Sequence, residues 1–168
     1  MLELIIITIL IAADQAAKYL TDAFLMPLGS TIPVWPGVFQ LTSTHNTGAA
    51  WGLLSGFRWF FIVLTIAVCF FLALYLIRYR KKMHWLPRVT LALILAGAVG
   101  NLIDRAALGY VRDMFYFVLI DFPVFNVADS ALSVGCVLLA INVLFMKDHS
   151  ILASFDEKPP REGEERAG

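Results

Sequence analysis

Charge is the first thing this chain lacks. Only 15% of its 168 residues are charged and 60% are hydrophobic, whereas about a quarter of the residues in a soluble domain carry charge. That balance excludes an ordinary soluble globule and leaves a polytopic membrane protein. The 13 basic and 13 acidic residues cancel, so no basic excess marks a nucleic-acid partner. Cysteine is nearly absent too. Cys69 and Cys136 stand alone in apolar runs and read as small buried hydrophobes. There is no CxxC and no HExxH, and His45, His84 and His149 are scattered. Neither a disulfide framework nor a metal site is expected, and no cofactor is implied. Basic residues are missing before Lys18, where a cleavable signal peptide would need them, so the first apolar run is read as a retained span.

What is present is a set of four apolar runs. They cover about 2–20, 59–77, 86–104 and 123–146, and the second carries no charge over nineteen positions, the length a membrane helix needs. Between the second and third lie Arg78, Arg80, Lys81, Lys82 and Arg88. Basic residues beside a span mark the cytoplasmic side, which puts both termini inside and 21–57 and 104–123 outside. Segment 21–57 is broken by Pro27, Gly29, Pro33, Pro36 and Gly37 and is rich in β-formers. It predicts a small strand-containing element on the membrane surface, with Trp35, Phe39, Trp51 and Trp59 at headgroup level. The fold class is thus an all-α membrane protein, four transmembrane helices with a small extracytoplasmic β-element. Residues 1–147 form its one domain, and 148–168, mixed in charge and proline, read as a disordered cytoplasmic tail. Asp14 and Lys18 are four apart and can pair on one helical face. Their place near the end of the first span predicts a partly wet position from which Lys18 snorkels to water.

The chain is organised around residues 97–129, where polar residues collect between two apolar runs. Ionisable groups at membrane depth cost roughly 2.5–3.5 kcal/mol each on insertion scales and therefore mark a functional interior. Asn101 and Arg105 share a helical face with Gly97, and Asn126, Asp129, Ser133, Cys136 and Ala140 recur at helical spacing. Ser55, Ser130 and Ser133 have no good base partner beyond His45, so a serine mechanism is poorly supported. Carboxylates remain. Two held close cannot both ionise, so one keeps a proton while the other activates water. Asp129 is the anchor of such a pair, and spacing leaves Asp104, Asp113 and Asp121 open as its partner. Asp104 with Arg105, or Arg112 with Asp113, would then be a structural ion pair. A rival reading is a non-enzymatic four-span protein, a proton-coupled carrier or an assembly factor. It would want acids staggered through the membrane, yet the inner halves of the spans hold only Glu3.

From about residue 10 to 146 the chain resembles the bacterial lipoprotein signal peptidases (signal peptidase II). The likeness rests on Asp14-Gln15-Ala16-Ala17-Lys18, Asn46-Thr47-Gly48-Ala49-Ala50 and Gly100-Asn101-Leu102-Ile103-Asp104-Arg105. It continues through Gly109-Tyr110-Val111-Arg112-Asp113 and Phe125-Asn126-Val127-Ala128-Asp129-Ser130. Five such motifs in order on four spans make a specific signal. The resemblance implies a membrane aspartyl endopeptidase that removes the signal peptide from diacylglyceryl-modified prolipoproteins, cutting before the lipidated cysteine. It implies that Asp113 and Asp129 are the catalytic pair and that Asn46, Gly48, Asn101, Arg105 and Asn126 support the site or contact substrate. Asp14 and Lys18 match structural positions. It further implies a small extracytoplasmic sheet, contact with membrane lipids, inhibition by cyclic peptide antibiotics of the globomycin type, and residence in the bacterial cytoplasmic (inner) membrane with the active site at the outer face. Met114 stands where Phe is common, and Trp51 where Phe often is.

Overall fold

The computed structural model describes residues 1–25, 27–49, 53–146 and 151. Along the chain run α1 (Leu2–Phe24), β1 (Thr31–Trp35), β2 (Phe39–Asn46), α2 (Arg58–Tyr79), α3 (Trp85–Ala107), β3 (Val111–Phe117), a single 3-10 turn at Val118–Ile120, and α4 (Val127–Phe145). All four helices are long and apolar enough to cross a membrane. The chain is therefore a multi-pass membrane protein. Of the 148–168 segment, expected to be a disordered tail, only Ile151 lies within the described residues. It is buried, and its N–H donates to Asn142 Oδ1 at 2.7 Å.

Helix α3 is the hub. Over half of its apolar stretch is buried, against 11–22% for the other three, and it packs on α1, α2 and α4. Its buried face carries Ala92, Ala96, Gly97 and Gly100, the small residues that let membrane helices approach closely where no hydrophobic drive assists them. A Cβ on Gly97 would lie 2.4 Å from the Ala128 carbonyl oxygen and 2.9 Å from the Leu132 nitrogen. Both obstacles are backbone, so α4 would have to move as a body. Gly97→Ala is accordingly expected to destabilise the bundle by about 1–3 kcal/mol and to displace the first turn of α4, lowering activity as well as the melting temperature in detergent. A melting curve matching the wild type would show that the helices can separate freely.

The three strands form one antiparallel sheet in the order β1-β2-β3. β2 pairs with β3 so that Phe39 faces Phe117, Thr44 faces Asp113 and Asn46 faces Val111, with an irregularity between Leu41 and Thr44. Phe39, Phe115, Phe117, Phe122 and Phe125 stack on one another along β3 and the segment that follows it. The sheet expected in 21–57 is present, but its third strand comes from 104–123, which spacing assigns to a loop. In that region α3 runs on to Ala107 and β3 follows. The fourth helix starts at Val127 rather than near 123, because Asn126 caps it and Phe125 instead bridges to Phe115.

Trp35 and Trp59 are exposed, as interfacial aromatics would be, and Trp51 lies outside the described residues. The expectation of a buried Cys136 is corrected: it is exposed on the outer surface of the bundle, and Cys69 is half-buried.

Candidate active site

The site begins with a helix start. Asn126 is the cap of α4: its side chain accepts the Asp129 N–H at 2.8 Å, while Asp129 Oδ2 accepts the Asn126 N–H at 3.2 Å. This reciprocal box satisfies two amides that a helix would otherwise leave unpaired. It also fixes the Asp129 carboxylate at the mouth of the helix. The other Asp129 oxygen, Oδ1, accepts from Asn101 Nδ2 of α3 at 2.7 Å.

Asp113 arrives from β3, across from Thr44. Its Oδ1 accepts from Asn126 Nδ2 at 2.7 Å and its Oδ2 from Asn46 Nδ2 at 3.1 Å. Each asparagine is oriented by a further bond. Asn46 Oδ1 accepts the Gly48 N–H at 2.9 Å, which leaves only its amide hydrogens for Asp113. Asn101 Oδ1 accepts both Lys18 Nζ and Asn126 Nδ2 at 3.1 Å, which turns its own amide toward Asp129. Arg105 donates to the Gly48 carbonyl at 2.9 Å, and its guanidinium carbon lies 4.9 Å from the centre of the Phe61 ring. These contacts gather Asn46, Gly48, Asn101, Arg105, Asp113, Asn126 and Asp129 into one constellation.

Asp113 and Asp129 line one cavity of about 570 Å³, together with Asn46, Asn101 and Arg105 and an apolar wall that includes Phe122, Phe125, Leu132 and Val134. Asp113 is only 2% exposed. Burial first, then the negative charge of Asp129, pushes its carboxyl up to about 7, against the pull of the Asn46 and Asn126 hydrogen bonds. The arrangement can hold one proton near neutral pH and present a second carboxylate to water.

The other two partners that spacing leaves open for Asp129 lie elsewhere. Asp121 is exposed, accepts from the Tyr116 hydroxyl at 2.6 Å and does not line the cavity. Asp104 is fully buried and faces away, 2.8 Å from Arg112 Nη2 and 3.4 Å from Lys18 Nζ. Neither Asp104–Arg105 nor Arg112–Asp113 forms the structural ion pair; Arg112 pairs with Asp104 and, at 3.2 Å, with Asp22. Lys18 is also corrected. It does pair with Asp14, at 2.9 Å, but both are buried, with Lys18 wholly inaccessible rather than snorkelling to water. The pair supports the site from behind: Asp14 Oδ1 accepts the Ala128 N–H at 2.8 Å and so takes up another free amide of the α4 first turn.

Arg58 is a contributor that spacing gives little sign of. From the first turn of α2 it donates to the carbonyls of Arg105 and Ala106, each at 2.8 Å, satisfying free acceptors at the end of α3. The available hint is a lone arginine opening an otherwise uncharged run.

Four membrane-length helices and a small sheet bring two aspartates, Asp113 buried and Asp129 half-buried, to one cavity, an arrangement that suits an aspartic hydrolase in a membrane. The chain belongs to the signal peptidase II family: the family described as "Signal peptidase (SPase) II" matches residues 6–145. It is 47% identical to a lipoprotein signal peptidase of Bacillus velezensis over 86% of this chain and 95% of the relative. It is 45% identical to the lipoprotein signal peptidase of Bacillus subtilis over 86% of this chain and 94% of that one. A bacterial membrane enzyme solved by the in meso method at 2.3 Å resolution superposes with a TM-score of 0.76 at 34% identity, covering 94% of this chain and 92% of its own.

Proposed function

We propose that Asp113 and Asp129 are the catalytic pair of a membrane aspartyl endopeptidase that removes the signal peptide from diacylglyceryl-modified prolipoproteins, cutting before the lipidated cysteine. The observation that carries this reading is the single cavity bordered by both carboxylates, in a chain of the signal peptidase II family. The relatives are named as peptidases, which favours the enzyme over a carrier or assembly factor.

In this mechanism a water between the carboxylates loses a proton to Asp129 and its oxygen attacks the scissile carbonyl carbon. Asp113, protonated near neutral pH, donates to the carbonyl oxygen as the tetrahedral intermediate forms. Collapse returns a proton to the leaving nitrogen and breaks the C–N bond. The amides of Asn46, Asn101 and Asn126 hold the two carboxyls without adding charge, and Arg105 fixes the Gly48 loop at the rim. The apolar cavity wall suits the diacylglyceryl chains, bilayer lipids and globomycin-type cyclic peptides. The proposed residence is the bacterial cytoplasmic (inner) membrane, and the basic 78–88 loop supports an orientation with both termini inside and the site at the outer face. Residues 1–147 act as one catalytic domain.

Purified protein is expected to cut a diacylglyceryl-modified prolipoprotein on the amino side of its cysteine, unaffected by a chelator. An intact precursor, or abolition by chelator, would overturn the assignment. The rate should fall on an alkaline limb near pH 7, as Asp113 loses its proton. Stability should move the same way. Below about pH 3.8 both the folded and the unfolded chain hold this proton; between 3.8 and about 7 only the folded chain does. Stability therefore declines across that window and levels off above it. Asp113→Asn should flatten this part of the pH dependence of the melting temperature.

A further inference from the structure

Asp113 borders a second cavity. It measures about 250 Å³ and is lined by Thr44, His45, Asn46, Thr47, Pro123 and Val124 as well as Asp113. Asn46, Asp113, Pro123 and Val124 belong to both cavities, so a chain passing over Asp113 from the larger one enters the smaller. The two differ in origin. The larger extends along α4 to Leu132, Ser133 and Val134, whereas no residue of any of the four helices lines the smaller. It is made by the end of β2, by β3 and by the extended segment before α4.

Among the described residues, no hydrogen bond engages the Thr44 hydroxyl. Thr44 lies across from Asp113 in the β2–β3 pairing, on the strand face that also carries Asn46. His45 alternates to the other face, where its ring stacks on Tyr110 with centroids 3.8 Å apart. Thr44 is half-buried, so its hydroxyl is held in a recess rather than on a free surface. A small polar group entering the recess finds a partner there; a large apolar one strips water from it and returns nothing.

The direction of the substrate follows from its chemistry, and this step rests on the function proposed above. The signal segment precedes the scissile bond and is apolar, so it stays with the spanning helices. The residue after the bond is the lipidated cysteine, whose acyl chains also remain in the bilayer. The next residue is the first free to leave the membrane. We propose that the small cavity is the subsite for this second residue of the mature lipoprotein, and that Thr44 selects a small hydrogen-bonding side chain such as serine over a bulky apolar one.

The test compares kcat/KM for lipidated precursors carrying Ser, Gly or Leu at that position. The wild type should prefer Ser to Leu by about fivefold, the worth of one hydrogen bond. A Thr44→Val variant should bring Ser and Leu to near parity. Equal rates in the wild type, or an unchanged preference in the variant, would overturn the subsite. If no precursor is cut by the wild type, the peptidase reading fails and the subsite fails with it, a result distinct from uniform cutting without preference. If that variant does not fold, the assignment is read directly: a precursor with a diazirine side chain at the second position is photolysed on Asp129→Asn enzyme. Adducts on 44, 45 or 47 support the subsite, and adducts confined to 132–134 or to residues that line both cavities overturn it.

Discussion

Asp113→Asn and Asp129→Asn are each expected to lower cleavage of a lipidated precursor by about 10²–10⁴-fold, the usual contribution of a positioned acid or base. The two changes should not add, since in the proposed mechanism the carboxyls act on one water and either loss removes the shared step. Each also has a modest structural cost. Asp113 accepts from two asparagine amides, and an asparagine there offers only one oxygen, so one donor loses its acceptor. The Asp129→Asn change likewise leaves a single acceptor to serve both the Asn101 amide and the Asn126 N–H. Melting temperatures should therefore drop slightly while turnover collapses. Asp121→Asn is the control: it only weakens the surface bond that Asp121 accepts from the Tyr116 hydroxyl and should retain most activity. An inactive Asp121→Asn beside an active Asp113→Asn would show that Asp129 has a different partner.

The largest effect on stability is expected from Lys18→Met. Lys18 Nζ lies 2.9 Å from Asp14 and 3.4 Å from Asp104, with all three side chains at most 1% exposed. Removing it leaves Asp14 charged and without a cation, a change worth roughly 3–5 kcal/mol when a buried pair is broken from one side. Asp104 suffers less because Arg112 still holds it. Asp14→Asn combined with Lys18→Met should recover much of the loss, since an asparagine oxygen can still accept the Ala128 N–H. The single variant is expected to melt well below the wild type in detergent and the double variant between them. A double variant no better than Lys18→Met would mean that Lys18 acts mainly through Asn101.

The helices were legible because their apolar runs are long and charge-free, and α2 matches its expected bounds to within two residues. The site was legible in part. Asn101 and Asp129 sit on helices whose period places them, with Asn126 at the cap of the second, but Asp113, which shares their cavity, lies on β3, outside any apolar run, where spacing carries little information. The same strand explains the misjudged ion pair. Neighbouring strand residues point to opposite faces, so Arg112 and Asp113 diverge, one toward Asp104 and Asp22, the other toward the asparagines. Lys18 escaped for a different reason. Nearness to the end of a helix suggests water, whereas Gly100 lets α3 approach α1 closely enough for its own carbonyl and Asp104 to join Asp14 around the amine and replace it.

The Asp14–Lys18 pair also bears on how the chain is made. The two residues are four apart on a single helix, so they can neutralise each other as α1 leaves the ribosome, before any other span exists. Asp104 likewise brings its own cation, Arg112, eight positions later in the same stretch of chain. For these two acids insertion need not wait for a distant counter-ion, whereas Glu3 of α1 meets Arg88 only once the third span is present. A chain whose buried charges were matched only across helices would have to hold the first of them exposed to lipid until the last span was synthesised.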